Sequence, residues 1–132
     1  MKFAIVGSRK FGDLSRVAKL VEYLIQRWGT EIEIVSGGAK GVDTAAVNAA
    51  KSRKIAWKEF LPNPNIKPFV KAAMARNTQI VEYSDWVYAF YSVKADSTGT
   101  IDTMYKSIMA EKLVGIYTPK DSFQSTRIPG PK

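Results

Sequence analysis

Val35-Ser36-Gly37-Gly38-Ala39-Lys40-Gly41-Val42-Asp43-Thr44-Ala45-Ala46 is the stretch on which the reading of this chain turns. An apolar, β-branched run, Glu31-Ile32-Glu33-Ile34-Val35, leads into it, and a row of small residues leads out. Between them lies a loop of three glycines, a serine and a lysine. Such a junction reads as the strand-to-helix turn of a βαβ unit. Glycines there remove Cβ atoms and leave backbone N–H groups open to a bound group. A helix that starts at about Gly41 adds roughly half a positive charge at its N-terminus. The loop therefore has the make-up of an anion cradle, with Gly37, Gly38 and Gly41 as its frame and Ser36 and Lys40 supplying a hydroxyl and a cation. The same glycines would also serve a tight turn that binds nothing. The loop lacks G-x-x-x-x-G-K-[ST] and is therefore not the P-loop of nucleoside triphosphatases. It also misses G-x-G-x-x-G, which argues against ordinary NAD binding even with Glu59 near the ribose position.

Outward from this loop, short apolar runs alternate with helical patterns, the signature of a mainly parallel sheet flanked by helices, in one α/β, Rossmann-like domain. Strands are expected at 3–6, 31–35, 56–61, 86–91 and 114–117. Val17, Leu20, Val21, Leu24 and Trp28 mark a first helix, capped by Asp13 or Ser15 and stopped by Gly29. Val42, Ala45, Ala46, Ala49 and Ala50 give the second helix a narrow stripe. Pro68 opens a third, which runs to about Tyr83. Ile101, Met104, Tyr105 and Ile108 predict a fourth. The domain is expected to span 1–118, with 119–132 a flexible, Pro-, Gly- and charge-rich tail.

In a parallel sheet with right-handed crossovers, the segments that follow the strands gather at one rim, where ligands bind. Gly7-Ser8-Arg9, the loop from Ser36 to Gly41, and Ser97-Thr98-Gly99-Thr100 would meet there. The last of these also opens a helix, and its hydroxyls would either grip the same phosphate or simply cap. Asn77 falls on the apolar stripe of the third helix with Val70, Ala73, Met74, Ile80 and Val81. A buried amide needs partners, either a loop backbone or a ligand. Arg76 offers a planar fork suited to phosphate. Asp43 and Asp102, each in a first helical turn, either cap or act as the candidate catalytic acids.

Composition narrows the chemistry. The 132 residues contain no cysteine and no histidine, which excludes disulfides, zinc-thiolate sites and the commonest acid-base group. No metal site is expected; Mg²⁺ would bind only together with a ligand's phosphates, and no cofactor is indicated. Twenty Lys and Arg against twelve Asp and Glu give +8, which favours anionic partners, nucleotides or nucleic acid. No membrane span or signal peptide is read from the sequence, so a cytoplasmic location is expected. A homodimer is the default assembly.

Four motifs in order, Val6-Gly7-Ser8-Arg9 with Phe11, Ser36 to Asp43, Arg76-Asn77, and Ser97-Thr98-Gly99-Thr100, resemble the SLOG superfamily, in particular its small YspA- and YpsA-related branch, found in bacteria and viral genomes. The resemblance implies a Rossmann-like fold and a nucleotide or nucleotide-derived ligand in the cleft that these motifs build. It places Gly7, Ser8 and Arg9 along the cleft, Gly37, Gly38, Gly41 and Asp43 in the first cradle, Gly99 and Thr100 in the second, and Arg76 in the place of a helix arginine. The superfamily includes LOG-type phosphoribohydrolases, which cleave the N-glycosidic bond of cytokinin nucleotides, and DNA-processing protein A, which binds single-stranded DNA. Against the LOG pattern P-G-G-x-G-T-x-x-E, Asp96 and Ser97 replace two glycines. Thr103 stands at the glutamate position, with Asp102 one residue and about 100 degrees of helix away. The resemblance thus implies binding more directly than hydrolysis. Single-stranded nucleic-acid binding and a non-catalytic interaction module are the alternatives.

Overall fold

The computed structural model describes residues 1–93, 98–119 and 122–126. Six strands form one sheet: β1 (Lys2–Gly7), β2 (Glu33–Ser36), β3 (Ala56–Glu59), β4 (Trp86–Phe90), β5 (Leu113–Thr118) and β6 (Ser122–Ser125). Four helices connect them: α1 (Ser15–Trp28), α2 (Val42–Ser52), α3 (Phe69–Tyr83) and α4 (Thr98–Met109). The strand order is β3-β2-β1-β4-β5-β6, with the first five strands parallel and β6 antiparallel to β5. This is the α/β, Rossmann-like arrangement the sequence predicts. The order reverses between β1 and β4, so a crevice opens beyond their C-terminal ends. β6 lies where the sequence pattern had dissolved; the tail residues 120–121 and 127–132 lie outside the described residues. Among the described residues no helix is long and apolar enough to cross a membrane.

Alternation along the strands sorts the core into two layers. Phe3, Ile5, Tyr88 and Phe90 pack with Val17, Leu20, Leu24, Val42 and Ala46 on the α1–α2 face. Ala4, Val6, Val87 and Ala89 face the other way, with Ile80 of α3. The α1–α2 face carries the larger cluster, and the α3–α4 face a smaller one in which Ala4 and Ala89 lie among Val6, Val35, Ile80, Val87 and Leu113. Gly29 ends α1 as expected, with φ +87° and its N–H on Ile25 O at 2.8 Å. At the start of α1, Asp13 Oδ1 accepts from the Ser15 N–H at 3.0 Å.

Of the apolar residues that mark α4, Met104 packs on the sheet's second core layer and the other three do not. Thr100, Thr103 and Ser107 are the buried residues of α4, while Ile101, Tyr105 and Ile108 are exposed. The buried hydroxyls bond their own helix: Thr103 Oγ1 donates to Gly99 O at 3.0 Å and Ser107 Oγ to Thr103 O at 2.6 Å. A hydroxyl satisfied in this way behaves as a small core residue. The N-terminal half of α3 also departs from its predicted stripe, since Val70 and Met74 are 52% and 44% exposed.

Candidate functional site

A cavity of about 660 Å³ opens at the reversal point, between the ends of β1 and β4 and the N-terminal halves of α3 and α4. That volume suits a ligand of nucleotide size. Gly7, Ser8, Arg9 and Lys10 form one side, with Ala39 and Asp43 beside them. Phe69, Val70, Ala73 and Met74 make an apolar wall, and Asn77, Thr98, Gly99, Thr100 and Asp102 close the far side. Arg9 and Lys10 are exposed.

The glycines of the first loop make room chiefly for protein. A Cβ on Gly37 would lie 2.7 Å from Arg76 Nη1 and 2.9 Å from Asp43 Oδ2. On Gly41, at φ +82°, it would strike the backbone carbonyl of Arg9, so this glycine lets the first two rim loops touch. Gly38, at φ +73°, turns its open side to Leu61 and Glu59. Gly7 has Phe90 and Val42 against it. Gly99 differs, for a Cβ there would meet nothing within 4 Å. Ser36 is buried, and its Oγ donates to Asp43 O at 3.1 Å. Lys40 is exposed, and neither it nor Ser36, Gly37, Gly38 or Gly41 lines the cavity. Ser97, like Asp96, lies outside the described residues.

Arg76 and Asn77 tie three segments together. Arg76 Nη1 donates to Gly37 O and, at 3.4 Å, to Phe60 O, while its Nε donates to Asn77 Oδ1 at 2.9 Å. Asn77 is 4% exposed, and its Nδ2 donates to Gly99 O at 3.2 Å and Asp102 Oδ2 at 3.1 Å. The partners required of a buried amide are thus the α4 turn and its carboxylate. Asp102 also pairs with Lys106 at 2.8 Å. Ser8, 1% exposed, is held by its N–H on Phe90 O at 3.0 Å and accepts the Ser92 N–H on its Oγ at 3.4 Å.

Asp43 is 5% exposed. Its Oδ2 accepts the Ala39 N–H at 3.2 Å, while Oδ1 is sealed from solvent and has no hydrogen-bond partner. Burial pushes the carboxyl up to about 6, against the opposing pull of the Ala39 N–H, the Arg76 guanidinium and the Gly7 and Gly37 N–H groups. Burial also lowers Arg76, and Asp43 counters it. The N-terminal turn of α2 therefore carries its own carboxylate. The cations Arg9 and Lys10, and the open Gly99, lie on the cavity's other edges.

The sequence reading missed the α3 wall. Phe69, Val70 and Met74 follow Pro68, at the rim end of the helix, and that position was the available signal. Lys10, beside the noted Arg9, was also passed over.

Residues 1–65 match the model of YAcAr, the YspA, cpYpsA-related SLOG family. The first two sequence motifs fall inside that span and the last two beyond it. No curated protein matches the sequence. Among solved structures, the chain is similar to DNA processing protein A from Helicobacter pylori, described for its single-stranded DNA binding mode, with TM-score 0.63 and 21% identity over 92% of this chain and 68% of that one. It is also similar to DNA processing protein A from Streptococcus pneumoniae, with TM-score 0.55 and 24% identity over 86% of this chain; here the match spans only 58% of the longer protein. At such identities the likeness is one of fold. Family match and fold agree with the motif resemblance, and the chain carries over residues 1–65 the pattern of the YspA, cpYpsA-related SLOG family.

Proposed function

We propose that the cavity binds a nucleotide or nucleotide-derived ligand, its phosphate toward Arg9, Lys10 and the Thr98-Gly99-Thr100 turn and its base against the α3 wall. One observation carries this reading. The cavity has the cations Arg9 and Lys10 on one side, an open helix-start glycine, Gly99, on the far side, and an apolar wall of Phe69, Val70 and Met74, a mixed polarity that suits a nucleotide. Ser36, Gly37, Gly38, Lys40 and Gly41 then act beneath the ligand, by holding Asp43, Arg76 and the Arg9 loop in place. The SLOG pattern supports the same class of ligand.

Hydrolysis at the N-glycosidic bond would fall to Asp43 or Asp102. Asp102 is engaged by Asn77 and Lys106, and the free oxygen of Asp43 is out of solvent's reach. Binding without turnover is the better supported reading. The test is a melting-temperature panel with AMP, ADP-ribose, NAD, cyclic nucleotides and a short oligo-dT, each at low and moderate salt, with chromatography for released base. A ligand at about 100 times its dissociation constant stabilises by roughly 2.7 kcal/mol. A shift with a mononucleotide, lost in Arg9→Ala/Lys10→Ala, is expected; no shift with any mononucleotide overturns the proposal.

A second reading, single-stranded nucleic acid as partner, is favoured by the H. pylori neighbour's binding mode and by the +8 charge. It requires a shift with oligo-dT that falls steeply as salt rises.

A further inference from the structure

We propose that the groove between α1 and the β5–β6 edge is a second binding site, for single-stranded nucleic acid, with Tyr23 and Phe123 stacking on bases and Lys19 and Arg16 meeting phosphates. The groove has a volume of about 400 Å³ and is lined by Arg16, Lys19, Leu20 and Tyr23 of α1, Tyr117 of β5 and Phe123 of β6. It shares no residue with the nucleotide cavity. The α1 residues recur at i, i+3, i+4 and i+7, which sets them on one side of the helix. Leu20 is buried. The rings are built outward from the core. Phe11 meets Phe90 at 5.3 Å between centroids, Phe90 stacks on Tyr117 at 4.5 Å and 8°, and Tyr117 meets Phe123 at 4.7 Å. This ladder ends in a ring 43% exposed, and Tyr23, on the helical side of the groove, is 54% exposed. A base laid on Phe123 would continue the ladder.

The cations are placed for the same ligand. Arg16 is half-buried; its Nη1 donates to Thr118 O at 2.6 Å, and its guanidinium lies 5.4 Å and 5.5 Å from the Phe11 and Tyr117 ring centroids. Its charge is thereby fixed beside the rings. Lys19 is exposed. Asp13, whose carboxylate feels both cations, is held by the Ser15 N–H and Oγ at 3.0 and 2.6 Å and does not line the groove. The lining itself selects the occupant. An apolar partner would cover the rings but strip water from the cations. An acidic peptide would meet the cations and leave the exposed rings unused. A duplex keeps its base faces stacked inside. A single strand brings flat base faces and phosphates in alternation, the two features that grooves for such strands combine. Exposed rings on two different elements suit successive bases, more than one mononucleotide supplies. The proposed site rests on the single-stranded reading above and is independent of the nucleotide cavity.

The test is fluorescence anisotropy of a labelled oligo-dT titrated with the full chain, at low and moderate salt. The variants are Tyr23→Ala, Phe123→Ala, Lys19→Ala and Arg9→Ala/Lys10→Ala. Loss of one stacked base should weaken binding about tenfold in Tyr23→Ala and in Phe123→Ala, with Tyr23→Phe retaining the wild-type affinity. Lys19→Ala should weaken binding and flatten its salt dependence. Tyr23 and Lys19 are exposed, so these variants should keep the wild-type circular dichroism. Arg9→Ala/Lys10→Ala should keep its oligo-dT affinity, and Tyr23→Ala its melting-temperature shift with a mononucleotide. If the wild type binds no oligo-dT, the single-stranded reading and this site fail together. If binding is lost in Arg9→Ala/Lys10→Ala but not in Tyr23→Ala and Phe123→Ala, the strand belongs to the cavity and this site alone is overturned. Competition by a duplex or by polyglutamate as strong as by unlabelled oligo-dT would reduce the contact to charge and also overturns it.

Discussion

Replacing Asp43 by Asn removes a charge that the fold holds at a cost. Burial moves the carboxyl from the ordinary aspartate value of 3.8 up to about 6 in the folded chain. The folded state thus binds the proton more tightly than the unfolded state, and stability falls as pH rises between those values. The relative stabilisation is complete below 3.8 and gone above about 6. A displacement of about 2 pH units corresponds to roughly 3 kcal/mol, of which about 2 kcal/mol is lost between pH 4.5 and 7.5. Asn keeps an oxygen for the Ala39 N–H and leaves its own NH₂ unpartnered, a cost that does not depend on pH. The measurement is therefore the difference in melting temperature between Asp43→Asn and wild type across that range, in which other carboxylates cancel. The variant should gain on wild type by roughly 6–8 °C as pH rises. A difference that is flat with pH, or that runs the other way, refutes the assignment of a buried, partner-poor carboxyl to this position.

Arg76→Ala leaves Gly37 O and Asn77 Oδ1 without their donor and should cost about 2 kcal/mol in urea unfolding, with Arg76→Lys recovering only part. Gly41→Ala should destabilise by at least 1 kcal/mol, because φ +82° and the Arg9 carbonyl both oppose a Cβ. Gly99→Ala should leave stability unchanged or slightly raised, since nothing lies within 4 Å, yet weaken nucleotide binding by filling space at the cavity's far side. Asn77→Ala, which cuts the link from α3 to Asp102 and Gly99, should lower the melting temperature by several degrees and raise amide exchange in the first turn of α4.

The sheet was legible because its signals are local and redundant. Phe3 to Val6 and Trp86 to Phe90 are continuous apolar runs, and only strands buried on both faces need them. Ser122–Ser125 was not legible, for a short run with one apolar residue, Phe123, signals no strand until β5 offers an open edge and the Tyr117 ring to pack on. The facing of α4 was not legible for a related reason. Periodicity shows that a helix has two faces, but which one turns inward depends on its neighbours, and here Met104 goes to the core with Thr100, Thr103 and Ser107 while Ile101 stays exposed. At the site, the sequence located the rim but not the division of labour within it. A glycine that clears space for Arg76 and one that clears space for solvent are the same letter, and only the partners of Gly37 and Gly99 tell them apart.

The hydroxyl-lined seat of α4 bears on motion. This helix gives the core one large apolar side chain, Met104, and is otherwise fastened to α3 sideways by Asn77 to Asp102 and Lys106 to Met74 O. Polar fastenings exchange readily with water. α4 is therefore the wall of the cavity whose backbone amides should exchange before those of the sheet, an order that native-state hydrogen exchange would read.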